Sequence, residues 1–192
     1  MARDKVICAL DIGSSKISTL VASIGEDGKI NVIGVSSTVS KGVRKNQIVD
    51  IVQAIESITE SVESAERMAG YSISNAYVAA GGSQIESSNS HAVVAVSQPE
   101  AEIRESDVVR VNDAARAINL PAAREILHVI PRTFTVDGQE GIKDPVGMTG
   151  VRLEAEAHII TAMNTALRNT QKCMEDLGLS VRCLHGNVPT GN

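Results

Sequence analysis

Aromatic residues are scarce in this chain. Its 192 residues include two tyrosines, Tyr71 and Tyr77, one phenylalanine, Phe134, and no tryptophan. A core built from this sequence must therefore be aliphatic, made of Val, Ile, Leu and Ala. The same scarcity removes the aromatic platforms on which single-stranded nucleic acids stack. A net charge of −5 also argues against a broad surface for a phosphate backbone, so we expect no nucleic-acid partner.

Cysteine is also rare, and its spacing does not match a metal site. Cys8, Cys173 and Cys183 are odd in number and far apart, which favours reduced thiols in a cytoplasmic setting. The four histidines are scattered, so we expect each to be structural or on the surface. No side-chain cluster in the sequence predicts a metal held directly by the protein.

Long apolar runs are missing as well. No segment is long enough to span a bilayer, and the first residues pass directly into a charged pair and a strand without a secretory signal. We therefore expect a cytoplasmic protein. The length is sufficient for one large or two small domains.

The most informative segment that is present lies near the start of the chain. An apolar run ends at Asp11, the turn Gly13-Ser14-Ser15-Lys16 follows, and a second β-prone run begins. This is a strand–turn–strand pattern that lacks the spacing of a P-loop. A carboxylate at the end of a strand can place Mg²⁺ against phosphates, and backbone N–H groups, hydroxyls and an ammonium can hold phosphate oxygens. An ordinary polar turn is the alternative interpretation.

The first 82 residues predict a mixed sheet with a helix packed on it. Three strands are expected within residues 5–36, with an Asp27-Gly28 turn between the second and third. Apolar residues at helical spacing then predict a helix that Asp50 caps and Gly70 ends. A short strand over residues 74–80 closes this block.

A second block begins after the double glycine at residues 81–82. We expect strands over residues 91–97, 125–136 and 151–160, and a helix that Ser106 caps and that runs to Ile118. A last helix over residues 162–177, ended by Gly178, is expected to return to the first block. Arg124 with Glu125 and Arg152 with Glu154 are candidate ion pairs at an interface between protein copies, where exposed pairs usually contribute little energy.

Eight segments, in order along residues 5–180, resemble the FtsA family of bacterial actin-like cell-division proteins. Several of them lie outside the phosphate turn, which separates this family from other actin-like ATPases. The segments are 11–16 (DIGSSK), 30–35 (INVIGV), 42–45 (GVRK) with 48–50 (IVD), 65–70 (AERMAG), 88–91 (SNSH), 113–117 (DAARA), 124–131 (REILHVIP), and 141–145 (GIKDP) with 150–155 (GVRLEA).

The resemblance implies an α/β fold. It is an actin-like, ribonuclease-H-like mixed sheet with helices, partial in this chain, plus an inserted small α+β subdomain. Residues 1–82 would form the first part of the actin-like subdomain, and residues 83–157 the inserted subdomain for interaction and assembly. Residues 158–192 would form the return helix with an atypical tail.

The resemblance also implies a function. FtsA proteins bind ATP with Mg²⁺, have weak ATPase activity, and self-associate as actin-like filaments. They anchor the FtsZ ring at the cytoplasmic face of the membrane at the division site and recruit later division proteins. In this sequence Asp11 would face Mg²⁺ and the phosphates, and Gly13, Ser14, Ser15 and Lys16 would form the first phosphate loop. No catalytic residue is assigned.

The sequence departs from the family pattern after Val181. Residues 182–192 do not match it, and the second phosphate loop, the adenine motif and the membrane-binding C-terminal helix are missing, which predicts an N-terminal fragment. We then expect weak or absent ATP binding, no hydrolysis by the chain alone, and no membrane contact without that helix. An actin-fold ATPase or kinase with its second half missing, or a pilus-assembly actin homologue, is the alternative; residues 88–91 and 126–131 favour the division protein.

Overall fold

The chain forms two compact units. The computed structural model of the protein describes residues 5–96 and 102–186, without the side chains of residue 80 and residues 182–186. Unit 1 comprises residues 1–85 and 162–192, and unit 2 comprises residues 86–161. The predicted departure from the family pattern at residues 182–192 therefore lies outside the described side chains.

Unit 1 contains a five-stranded mixed sheet and two helices in its described part. The elements are β1 (Lys5–Ile12), β2 (Lys16–Ile24), β3 (Ile30–Val39), β4 (Val43–Arg44), β5 (Gln47–Ile48), α1 (Ile51–Ala69), β6 (Asn75–Ala80), and, after unit 2, α3 (Asn164–Asp176) and β11 (Ser180–Gly186). The strand order is β11-β6-β1-β2-β3. Strands β1, β2 and β3 pair antiparallel, whereas β6 runs parallel to β1 and β11 parallel to β6. This confirms the predicted mixed sheet.

Helix α1 begins and ends where its capping residues predict. The Asp50 carboxylate accepts a hydrogen bond from the Gln53 N–H at 3.1 Å, and Gly70 takes the left-handed conformation with φ 63°. The helix lies very close to β3, because a Cβ at Gly34 would come within 2.6 Å of the Ala65 carbonyl oxygen. Only glycine permits that approach of helix to strand.

The core of unit 1 lies on one face of its sheet. Alternate residues of β1 and β2 are buried there together with one side of α1 and α3, including Cys8, Leu10, Ile17, Ile58 and Met174. The opposite face remains open in the described residues. Leu20, Val35 and Tyr77 are 39%, 49% and 37% exposed on it.

Unit 2 has its own sheet and core. Its elements are β7 (Ile85–Ala95), α2 (Glu105–Arg116), β8 (Arg124–Val136), β9 (Gln139–Ile142) and β10 (Arg152–Met163). The strand order is β7-β10-β8-β9. Val111 of α2 and alternate residues of β10, among them Leu153, Ala155 and Ala157, are fully buried.

Three details of unit 2 differ from the sequence-based expectation. Strand β7 begins at Ile85, six residues before the expected start at His91, and β9 was not expected at all. Helix α2 begins at Glu105, and Asp107 accepts a hydrogen bond from the Arg104 N–H at 3.0 Å, so Ser106 is not its cap. The polar start of β7 is stabilised by the neighbouring strand β10, and the local sequence around β7 does not reveal that neighbour.

Helix length also bears on the membrane question. None of the helices within the described residues is both long enough and apolar enough to cross a bilayer.

Candidate phosphate-binding turn

Asp11 lies near the carboxyl end of β1. Its partners across the sheet are Ser18 on β2 and Ala79 on β6. Because side chains alternate along a strand, Asp11 shares the open face of the sheet with Ala9, and Ala9 pairs with Leu20. The Asp11 carboxylate is exposed, as expected for a group that would meet a ligand.

The turn after β1 is tight and well held. The Gly13 N–H donates to the Lys16 carbonyl at 3.1 Å, and a Cβ at Gly13 would come within 2.9 Å of the same oxygen. The Ser40 N–H donates to the Ser15 carbonyl at 3.1 Å, which ties the turn to the end of β3. The side chains of Ser14, Ser15 and Lys16 are exposed. The structure therefore presents two hydroxyls and an ammonium together.

A second turn lies against the first. Lys45 and Asn46 connect β4 and β5 with φ values of 49° and 56°. The Asn46 N–H donates to the Ser14 hydroxyl oxygen at 2.7 Å, and that hydroxyl donates to the Asn46 side-chain oxygen at 2.9 Å. Asparagine tolerates the left-handed conformation better than most residues, which fits its place here.

The other side of this second turn contacts residues 81–84. The Gln84 side-chain amide donates to the Asn46 carbonyl at 2.8 Å and to the Gly81 carbonyl at 2.7 Å. A Cβ at Gly82 would lie 2.4 Å from the Lys45 carbonyl oxygen, so only glycine allows the two backbones to approach. Asn46 therefore contacts both the first turn and the segment that precedes β7.

A groove borders the Lys45-Asn46 turn in unit 1. Its volume is about 140 Å³, and neutral side chains line it, including Asn46, Gln84, Thr165 and Asn169. None of the candidate phosphate residues lines it. The groove and the phosphate turn are therefore separate, and Asn46 lines the groove while it contacts Ser14 of the turn.

Comparison with known proteins relates most of the chain to one group. The family model described as "SHS2 domain inserted in FTSA" matches residues 82–161. The cell division protein FtsA of Borreliella burgdorferi is 42% identical over 181 residues, which are 94% of this chain and 44% of that protein. The chain is a relative of the FtsA cell-division proteins. Those of Pseudomonas aeruginosa and Escherichia coli are 40% and 37% identical over 177 residues, which are 92% of this chain and 42% of each protein. The chain thus spans less than half the length of these curated FtsA relatives.

A solved structure shows the same fold at low sequence identity. The "PilM-PilN type IV pilus biogenesis complex" matches 94% of this chain and 47% of that chain, with a TM-score of 0.60 and 15% identity. At this identity the match speaks for the fold alone. Together with the FtsA relatives it confirms the actin-like mixed α/β sheet and the additional subdomain.

The residues at the first turn fit Mg-ATP by their chemistry. An exposed carboxylate, two exposed hydroxyls, an ammonium and a tight glycine turn form a set of donors and acceptors suited to phosphates and a divalent ion. Within the described residues, no three His, Cys, Asp or Glu side chains converge on a metal site. The assignment of Asp11, Gly13, Ser14, Ser15 and Lys16 to phosphate and Mg²⁺ stays a prediction.

Asn46 is the residue at this turn that sequence reasoning missed. In the sequence it stands in a polar stretch with Lys41, Arg44 and Lys45, whose side chains are exposed in the structure. A Lys-Asn pair between two short β-prone segments was the available signal for a turn, since Asn readily adopts positive φ. Nothing local indicated that Asn46 contacts Ser14, which is 32 residues away.

The described cysteines are core residues rather than nucleophiles. Burial, with a smaller contribution from Glu66, raises the pKa of the Cys8 thiol to about 11. Burial chiefly, and then Asp176, raises the pKa of Cys173. Neither thiol is in a disulfide, and both are buried. The Cys183 side chain lies outside the described ones.

Proposed function

We propose that the protein acts in cell division as part of an FtsA-type scaffold. The observation that carries this proposal is the 37–42% identity to FtsA proteins of three bacteria over 92–94% of the chain. In this proposal the protein works in the cytoplasm at the membrane face of the division site. Its partners in this proposal are further copies of itself, the FtsZ ring and later division proteins. Membrane attachment requires the C-terminal helix of the family.

The first turn is proposed to hold the phosphates of ATP. Lys16 would neutralise charge on the phosphate oxygens, and the hydroxyls of Ser14 and Ser15 would donate hydrogen bonds to them. The Asp11 carboxylate would orient the Mg²⁺ that ATP carries. Because one turn supplies only part of a nucleotide site, we expect weak binding and no hydrolysis by this chain alone.

Residues 83–157 are proposed to be the interaction module. The core of unit 2 is built from its own helix and strands, including the buried Val111, Phe134 and Leu153, so this segment has the packing of an independent subdomain. Its surface also carries exposed apolar side chains, such as Val109 and Ile130 at 58% and 48% exposure, which suit protein contacts.

An exchange of subdomains tests this proposal. Residues 83–157 would replace the equivalent segment of Escherichia coli FtsA in cells depleted of their own FtsA. We expect the chimera to localise to the division site and recruit later division proteins. A matched chimera carrying Leu153→Asp should fail, because a carboxylate would enter the core of unit 2. Filamentous cells with the intact chimera, at equal protein level, would contradict the proposal.

An actin-fold ATPase or kinase remains the second candidate. The observation that favours it is the exposed Asp11 beside a tight, glycine-dependent turn, which any member of that fold would need. Turnover of Mg-ATP by the isolated chain, with a sugar or other acceptor, would favour this candidate over the scaffold.

A further inference from the structure

The Ser14 hydroxyl is already engaged. A hydroxyl has one proton to donate, and Ser14 donates it to the Asn46 side-chain oxygen at 2.9 Å. Its oxygen accepts the Asn46 N–H at 2.7 Å. The Ser14 hydroxyl proton that would serve a phosphate oxygen is therefore already hydrogen-bonded to the Asn46 side chain.

Asn46 is fixed in this role by its own surroundings. Its carbonyl accepts a hydrogen bond from Gln84 at 2.8 Å, and its backbone has the left-handed φ of 56°. The neighbouring Lys45 carbonyl oxygen packs tightly against Gly82, where an added Cβ would lie only 2.4 Å from it. The Asn46 backbone is thus held beside Ser14 by contacts that do not involve Ser14.

We propose that the Asn46 side chain competes with phosphate for the Ser14 hydroxyl. This inference rests on the proposed nucleotide site. When a phosphate oxygen accepts the hydrogen bond from the Ser14 hydroxyl, the Asn46 side-chain oxygen loses its donor. Phosphate binding and the Ser14–Asn46 hydrogen bond therefore oppose each other. By linkage, removing the Asn46 acceptor strengthens phosphate binding, whereas strengthening that acceptor weakens it.

The expected size follows from one exchanged hydrogen bond. A neutral hydrogen bond contributes enough to change an equilibrium by about threefold to tenfold. Asn46→Gly removes the side chain and keeps the backbone carbonyl and the left-handed φ, which glycine adopts without penalty. Asn46→Asp keeps the shape and replaces the amide with a charged, stronger acceptor that also repels phosphate.

The test is an NMR titration of the chain with Mg-ATP, following the backbone amides of residues 13–16. We expect Asn46→Gly to bind Mg-ATP about threefold to tenfold more tightly than the natural sequence, and Asn46→Asp to bind more weakly. Gln47→Ala is the control, because Gln47 lies on the same hairpin as Asn46 but donates to Ser83 and not to Ser14. This variant should leave the affinity for Mg-ATP unchanged.

Each other outcome has a definite meaning. Equal or weaker binding of Mg-ATP by Asn46→Gly would overturn the proposed competition. If Asn46→Gly does not fold, unchanged or tighter binding by Asn46→Asp would overturn it. If neither the natural sequence nor any variant binds Mg-ATP, the proposed nucleotide site is overturned, and this inference with it.

Discussion

The two units differ in what their open sheet faces present to solvent. In unit 1 the part of that face away from Asp11 carries apolar side chains, and Leu20 and Val35 are 39% and 49% exposed. In unit 2 the half-buried residues of β10 that alternate with its core are Glu154, Glu156 and His158. Polar groups satisfy one another there. Glu154 binds His91 at 2.9 Å and Arg152 at 3.1 Å, and Asn89 binds His158 at 2.8 Å and Glu156 at 3.2 Å.

The difference indicates that the units have different requirements for further packing. Sheets with parallel pairs, such as β11-β6-β1 in unit 1, are usually covered on both faces. A sheet with one polar face can remain in water. The polar sheet face of unit 2 can therefore remain in water, whereas unit 1 exposes an apolar sheet face of the kind that normally meets other protein.

The largest effects should come from the two cores. Ile58→Ala in unit 1 and Leu153→Ala in unit 2 each truncate a side chain that is 0% exposed. We expect each to lower the free energy of unfolding by about 2–5 kcal/mol. Hydrogen exchange should show the loss of protection for Leu153→Ala confined to unit 2. The exposed Val52→Ala and Val151→Ala serve as controls and should cost less than about 0.5 kcal/mol. Equal loss of protection in both units would contradict the independence of the two cores.

A smaller effect is expected in the polar part of the unit 1 core. The buried Ser61 hydroxyl lies 2.8 Å from the hydroxyls of both Thr19 and Ser36. Ser61→Ala should cost about 1–3 kcal/mol in chemical denaturation, because Thr19 is left in the core without its partner. Ser37→Ala, on the exposed side of β3, is the matched control. A cost as small as that of the control would mean that water replaces the lost bond.

The pH dependence of unit 1 should reflect Cys8. Its pKa is about 11 in the folded protein against 9.0 for the free thiol, so the folded state holds its proton more tightly. Stability from this group is complete below pH 9 and falls as the pH rises from 9 to 11. We expect a loss of about 1 kcal/mol between pH 8 and pH 10. Cys8→Ala should reduce this dependence and leave the part due to Cys173, whose pKa is also raised. An unchanged slope would contradict the assignment to Cys8.

The smallest change in stability should accompany changes on the open face of unit 1. Leu20→Gln and Val35→Thr should leave the free energy of unfolding within about 0.5 kcal/mol. They should lower the binding of an apolar fluorescent dye, because they remove exposed apolar surface. Val93→Thr in unit 2, at a residue that is 44% exposed, is the comparison and should change dye binding less. The reverse order would remove the distinction between the two faces.

The sequence predicts the elements whose signals are local. Asp50 and Gly70 mark the ends of α1 because capping depends on side chains and φ values within one turn of the helix. The β1–β2 turn is likewise visible from its Gly and Ser residues. Arg152 pairs with Glu154 at 3.1 Å, since both lie on one face of one strand. A role of this pair at a filament interface stays a prediction.

Long-range partners explain the rest. Arg124 pairs with Glu86 at 2.9 Å, a partner distant in the sequence that no local rule would indicate. The polar start of β7 became part of a sheet only because β10 lies beside it. The Ser14–Asn46 contact similarly depends on how two turns meet in space.

The most direct test of the central proposal concerns Asp11. The affinity of the chain for ATP should be measured by NMR with excess Mg²⁺ and again with a chelator, for the natural sequence and for Asp11→Asn. The account predicts shifts centred on residues 13–16, and binding that Mg²⁺ strengthens in the natural sequence about tenfold more than in Asp11→Asn. Equal dependence on Mg²⁺ in both proteins, or shifts centred away from this turn, would contradict it.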